Sequence, residues 1–148
     1  METPEFIKKI YPHQKLYVFD VNPCSAPRMT KSDSWKLDPN HKNPKQRQRP
    51  VVTKWFRYER TIQALSLQNR FKLQKSLNIH FFIPMADSWS KKKRAEKLLQ
   101  PHDATPDIDN LLKGFMDASA SQDSYVYKVS AENTWSEKGY VVVYEDLF

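Results

Sequence analysis

Cysteine, glycine and long apolar runs are what this 148-residue sequence has least of. Cys24 is the sole cysteine, so no internal disulfide and no cysteine-rich zinc site can be built, which suits a reducing compartment. Gly114 and Gly139 are the only glycines against ten prolines, so the turns depend more on proline than on glycine. No stretch approaches the roughly 20 apolar residues that a membrane span needs. The first ten residues mix Glu2 and Glu5 with Lys8 and Lys9 and lack the apolar core of a signal peptide. A soluble cytoplasmic protein is therefore the expectation. Negative charge is also short, with 17 Asp and Glu against 24 Lys and Arg, a formal net charge of +7. Such an excess favours a polyanionic partner, because each phosphate neutralised releases condensed counterions. Composition does not distinguish DNA, RNA and acidic protein.

What is present fits one domain spanning 1–148. Residues 15–21 (KLYVFDV) alternate and read as a strand, with Leu16 and Val18 on one face and Tyr17, Phe19 and Val21 on the other. Residues 24–53 read as an irregular basic loop, interrupted by Pro27, Pro39, Pro44 and Pro50. A helix is predicted over 53–73, a strand over 77–83, a short basic helix over 90–100 with Ser90 as N-cap, and a second helix over 107–118. In the last of these Ile108, Leu111, Leu112, Phe115 and Ala118 recur at one-face spacing and mark a core face. Strands over 124–130 and 140–144, with Lys138-Gly139 in the turn between them, predict a terminal hairpin. The order is that of an α+β domain, a small sheet packed with helices.

The chemistry concentrates in residues 106–113 (PDIDNLLK), followed by Asp117 and Asp123. Asp107 and Asp109 stand two apart at the start of the second helix, where their carboxylates can converge, and carboxylate oxygens suit hard cations such as magnesium. Lys113 follows Asp109 by four residues along the same polar edge, and Asp123 can fold back as a third ligand. Phosphodiester cleavage needs an activated water and relief of charge on the phosphate, which a bound metal and a fixed ammonium supply. The same residues also fit a plainer reading. Thr105-Pro106-Asp107 is an ordinary helix-start signal, and Asp109 with Lys113 an ordinary surface pair.

The run PDIDNLLKGFMDAS at 106–119, then Asp123 with Val126 three residues on, resembles the RusA family of Holliday junction resolvases. The run PRMTKSDSW at 27–35 resembles the opening of RusA-like proteins carried by phages and prophages. The two matches, in the expected order, cover the chain from about residue 15 to residue 144. The resemblance implies that Asp107, Asp109 and Asp123 bind metal and that Lys113 is a catalytic lysine. It implies a magnesium-dependent endodeoxyribonuclease, with manganese as an alternative ion. It also implies a RusA-like α+β fold with a mixed sheet, an intertwined or two-fold homodimer, and paired nicks across a four-way junction in DNA recombination and repair. The setting would be the cytoplasm of a bacterial cell or phage-infected host. The sequence departs from the family pattern at Gln122, where many members carry an acid. It departs again at 37–53, which read as an insertion, and at Ser130-Ala131-Glu132, where many relatives place a lysine. These departures motivate a rival, a non-catalytic DNA-binding or replication-accessory protein on the same fold.

Arg28, Lys31 and Lys36 are the first candidates for DNA-backbone contacts, with Lys92 and Arg94 of the basic cluster 91–94 beside them; a solvated charge run is the alternative for both. His102 reads as a loop histidine that could orient a water or touch a phosphate. Trp35 and Trp55 could stack on bases at a branch point, with packing the plainer fate. Cys24 reads as a small packing residue.

Overall fold

In the computed structural model, which describes residues 3–119 and 125–147, the apolar alternation of the sequence becomes a four-stranded mixed sheet. The elements run α1 (Glu5–Ile10), β1 (Gln14–Phe19), α2 (Pro50–Asn69), β2 (Ser76–Pro84), α3 (Lys91–Lys97), α4 (Ile108–Ser119), β3 (Lys128–Ser136) and β4 (Tyr140–Asp146). Strand order is β1-β4-β2-β3, with β4 antiparallel to both β1 and β2, and β3 parallel to β2.

Period-two alternation gives the sheet two apolar faces. Leu77, Ile79, Phe81 and Ile83 of β2 and Val141 and Val143 of β4 meet Trp55, Tyr58 and Ile62 of α2 and Leu111, Phe115 and Ala118 of α4. Phe19 of β1 and Phe71 close on Phe115, with ring centroids 5.4 and 5.9 Å away. Each fully buried Val, Leu, Ile or Phe among these stabilises the fold by about 1.5–3 kcal/mol. The other face carries Val18, Phe82, Tyr140 and Val142 under Ile7 and Tyr11, the latter just past the end of α1. Among the described residues no helix is long and apolar enough to cross a membrane.

The structure corrects several boundaries. The terminal hairpin does not form, because β2 lies between β3 and β4 and the short connection over 137–139 passes the end of β2 instead. Gly139 permits this crossing, since a Cβ there would collide with Asn22. The strand expected over 124–130 begins at Lys128, with residue 124 outside the described residues. Tyr125 and Tyr127 instead dock on the chain before β2, through Tyr125 Oη to the Leu73 carbonyl (2.9 Å) and Tyr127 N–H to the Lys75 carbonyl (2.9 Å). Helix α2 opens at Pro50, inside the stretch expected to be irregular, since proline fits the first helical position. It closes at Arg70, whose φ of 56° turns Phe71 into the core. Helix α3 keeps Ser90 as N-cap, accepting from the Lys93 N–H (3.1 Å), but stops at Lys97, and Leu99 takes a φ of 60°.

The basic loop is more ordered than its prolines suggest. It contains two 3₁₀ turns, Lys31–Ser34 and Pro44–Gln46. Asp33 is buried and accepts two bonds from the Arg49 guanidinium, 3.0 and 2.6 Å, and one from the Thr30 N–H, 2.8 Å. Arg49 also donates to the Arg28 carbonyl (3.0 Å), so one guanidinium ties the loop to the start of α2. These contacts, led by the Arg49 bond, hold the Asp33 carboxyl far below its usual range.

Candidate active site

Helix α4 carries the site because its apolar positions leave one face outward. Leu111, Phe115 and Ala118 go into the core, and the 3.6-residue period puts Asp109, Asn110, Lys113 and Asp117 on the opposite side. Asp107 stands just before the helix, and its carbonyl accepts the Leu111 N–H (3.1 Å), as an N-cap carbonyl does. Asp107 and Asp109 are both exposed. The helix start attracts negative charge, so both carboxylates sit where the backbone favours them. Lys113 pairs with Asp117 one turn on, Nζ to Oδ2 at 2.6 Å.

Two recesses flank this helix. The first, about 300 Å³, is lined by His102, Asp103, Ala104, Asp107, Ile108 and Asn133. The second, about 620 Å³, lies along Asn110, Lys113 and Asp117 and is walled by Pro27, Arg28, Met29 and Trp55. Gly114 is what lets the basic loop reach α4. A Cβ there would collide with the Cys24 carbonyl, so the backbone of 24–26 rests directly on the helix and delivers Arg28 beside Lys113. Cys24 itself is buried, as expected of a packing residue.

The wall of the first recess is built by the edge of β3. Residues 99–102 run along it: Leu99 N–H donates to the Trp135 carbonyl (2.8 Å), Trp135 N–H to the Gln100 carbonyl (3.0 Å), and His102 N–H to the Asn133 carbonyl (2.9 Å). This holds the His102 ring against Trp135, centroids 4.4 Å apart, and Trp135 against Trp89 at 4.8 Å. Among the described residues six buried side-chain polar atoms lack a hydrogen-bond partner in the protein. Four of them belong to His102 (both ring nitrogens), Asn133 (Oδ1) and Trp135 (Nε1). Burial lowers the pKa of His102, opposed by its own backbone, by Asp103 and by the Thr105 backbone. Polar atoms shielded from water with nothing to bond cost stability, so their concentration beside Asp107 marks this recess as unlike the rest of the core.

The acidic residues of the sequence reading are thus brought together in part. Asp107 and Asp109 share the mouth of α4, and Lys113 lies on the same helix. Asp123 and Gln122 lie outside the described residues. Among the described residues no group of three or more His, Cys, Asp or Glu side chains stands ready to hold a metal. Asp107 and Asn133 line one recess, and Asp109 stands on α4 two residues after Asp107; carboxylate and amide oxygens are the donor type that hard cations take. Sequence reasoning missed Asn133. It is polar, sits in a strand without clear alternation, and becomes notable only because register with Phe81 turns it toward α4. Of the three positions where the sequence lacks a lysine, Ser130 and Glu132 fall on the far face, where Glu132 accepts from Tyr11 (3.0 Å), and Ala131 lies on the α4 face against the core.

The basic candidates divide. Arg28, Lys31 and Lys36 pair with no carboxylate among the described residues, and Arg28 lines the second recess. Lys92 is exposed on α3. Arg94 is engaged by Glu137 (2.7 Å) and the Ala86 carbonyl (2.9 Å). Lys93 lies over the Trp89 ring, 4.1 Å from its centroid. Trp55 is in the core, whereas Trp35 is 60% exposed.

Comparison with known proteins gives the family. No curated protein and no solved structure matches the chain. A family model described as Endodeoxyribonuclease RusA matches residues 31–144, which takes in the loop from Lys31, α2, β2, α3, the first recess, all of α4, β3 and β4 as far as Tyr144, while α1, β1 and the 26–29 wall of the second recess lie before it. By that match, over most of its length, the chain belongs to the RusA endodeoxyribonuclease family.

Proposed function

We propose that the protein is a magnesium-dependent endonuclease that resolves four-way DNA junctions by paired nicks in recombination or repair, working as a homodimer. The family supplies the reaction class, cleavage within DNA, and the substrate class, branched junctions. The observation that carries the reading to particular residues is the solvent-facing mouth of α4, where Asp107 just before the helix and Asp109 in its first turn precede Lys113 on the same helix, beside a basic loop that rests against it.

In this reading Asp107 and Asp109 hold the ion, with Asp123 as the third carboxylate and manganese able to substitute. A bound divalent ion supplies an activated water and Lewis-acid relief of phosphate charge. Lys113, held by Asp117, meets charge developing on the phosphate. Asn133 and His102 wall the recess next to Asp107 and orient what enters it. Arg28, Lys31, Lys36 and Lys92 hold backbone phosphates, which fix register without reading sequence. A two-fold dimer suits a junction that offers equivalent strands to equivalent sites. The phage or prophage setting follows from the resemblance of residues 27–35.

The test compares wild type with Asp109→Asn on a synthetic four-way junction. The variant is expected to bind as wild type does and to cut about a hundredfold more slowly or worse with magnesium. Wild-type protein that leaves the junction intact across magnesium and manganese would defeat the enzyme reading. It would favour the rival accessory protein, for which Gln122 in place of an acid is the supporting observation.

A further inference from the structure

Trp35 is exposed although the segment bearing it is fixed. It follows directly on the 3₁₀ turn Lys31–Ser34, with its N–H donating to the Ser32 carbonyl (3.2 Å). The pair of buried Asp33 with half-exposed Arg49 and the bond from Arg49 to the Arg28 carbonyl anchor that turn. The ring is therefore presented from a braced loop rather than from a loose one. Met29 and Leu37, 44% and 64% exposed, add apolar surface on the same segment. On the same loop Arg28, Lys31, Lys36, Lys42 and Lys45 pair with no carboxylate among the described residues.

A large aromatic ring in water on a loop rich in lysine and arginine fits one partner chemistry well, a polyanion with exposed aromatic faces. A second copy of this chain fits poorly, since it would bring the same positive segment against itself. Trp35 lies seven residues from Arg28, so the two are at most about 25 Å apart, less than one turn of duplex DNA. The separation of the ring from Arg28 is thus shorter than one turn of a junction arm held at Arg28.

We propose that Trp35 is a stacking platform for an unpaired or unstacked nucleobase of branched DNA, and so gives preference for a branch over continuous duplex. The inference rests on the junction-nuclease reading and adds a residue that discriminates substrates. Stacking is tolerant of base identity because every base has an aromatic face, so the preference is for structure and not for sequence.

The test titrates wild type, Trp35→Ala and Trp35→Phe against a four-way junction and a linear duplex of equal length, without divalent metal so that nothing is cut. A second junction carries 2-aminopurine at the branch point. Trp35→Ala is expected to weaken junction binding about tenfold, to leave duplex binding within about twofold, and to abolish the 2-aminopurine response, while Trp35→Phe restores most of the preference. An unchanged preference in Trp35→Ala overturns the inference and leaves the nuclease reading standing. So does a change in subunit stoichiometry by sedimentation, which would make Trp35 a contact between copies. Wild type that does not prefer the junction at all overturns the reading underneath as well.

Discussion

His80 and His102 lie at β2 and beside β3 of the same sheet, and their surroundings differ in kind. His80, on the α1 face, is bonded at both ring nitrogens, to Tyr11 Oη (2.7 Å) and Thr134 Oγ1 (2.9 Å), and stacks on Phe82 with centroids 4.0 Å apart. Burial pushes its pKa down to about 4 against the pull of Glu132. His102, next to the start of α4, has both nitrogens shielded and no side-chain partner of the kind His80 has, only its own backbone and that of Thr105 nearby, and Asn133 and Trp135 beside it each have a side-chain atom without a partner. A satisfied polar network fixes a packing arrangement. An unsatisfied one costs stability and persists where the molecule gains something else from it. In the proposed reading the back of the sheet is frame, and the mouth of α4 is the working end.

This contrast can be broken by substitution. The largest expected effect is on the frame: His80→Leu leaves Thr134 without its partner and Tyr11 with one bond fewer, and should destabilise by about 1–3 kcal/mol in urea unfolding. Cleavage per folded molecule should not change. The same histidine sets an acid sensitivity. Unfolded histidine takes a proton below about pH 6.5, whereas folded His80 stays neutral down to about 4. The unfolded state therefore binds more protons between those values, and stability falls as pH falls through that window. His80→Leu should flatten the slope there. The separate loss tied to Asp33, whose folded pKa is depressed, begins only as pH falls below about 4.

A smaller effect of opposite character is expected at the working end. Asn133→Leu replaces an unpaired acceptor with an apolar group of similar size, so stability should hold or rise slightly. Cleavage should fall about tenfold and the magnesium requirement should rise. A loss of stability with full activity would make this recess ordinary core and erase the contrast. Smallest is Arg28→Ala, which should weaken junction binding across all sequences and lower the salt dependence by about one counterion. An unchanged salt slope would remove Arg28 from the phosphate path.

Much of the frame is legible in the sequence, because alternation at 77–83 and one-face spacing at 107–118 are local consequences of burial. The α4 mouth is legible too, since Asp107, Asp109 and Lys113 are close in sequence. What was not legible depends on distant partners. The insertion of β2 between β3 and β4 follows from pairing across the sheet, not from the turn at Lys138-Gly139. The order of the basic loop comes from Asp33 and Arg49, sixteen residues apart among prolines. Asn133 has no local signal, because its strand carries Glu132, Thr134 and Ser136 and is held by β2 and by residues 99–102. Trp35 reads as a packing residue by type, and only the fold leaves it in water.

The central claim is that Asp107, Asp109 and Asp123 act on one ion. Titrating manganese into wild type, Asp109→Asn and Asp123→Asn, read by calorimetry in the absence of DNA, tests it without relying on cleavage. Both variants should lose affinity to a similar degree, at least about tenfold, while keeping the wild-type fold. Wild-type affinity in Asp123→Asn, with loss confined to Asp109→Asn, would contradict a shared site and with it the account of how this chain cuts DNA.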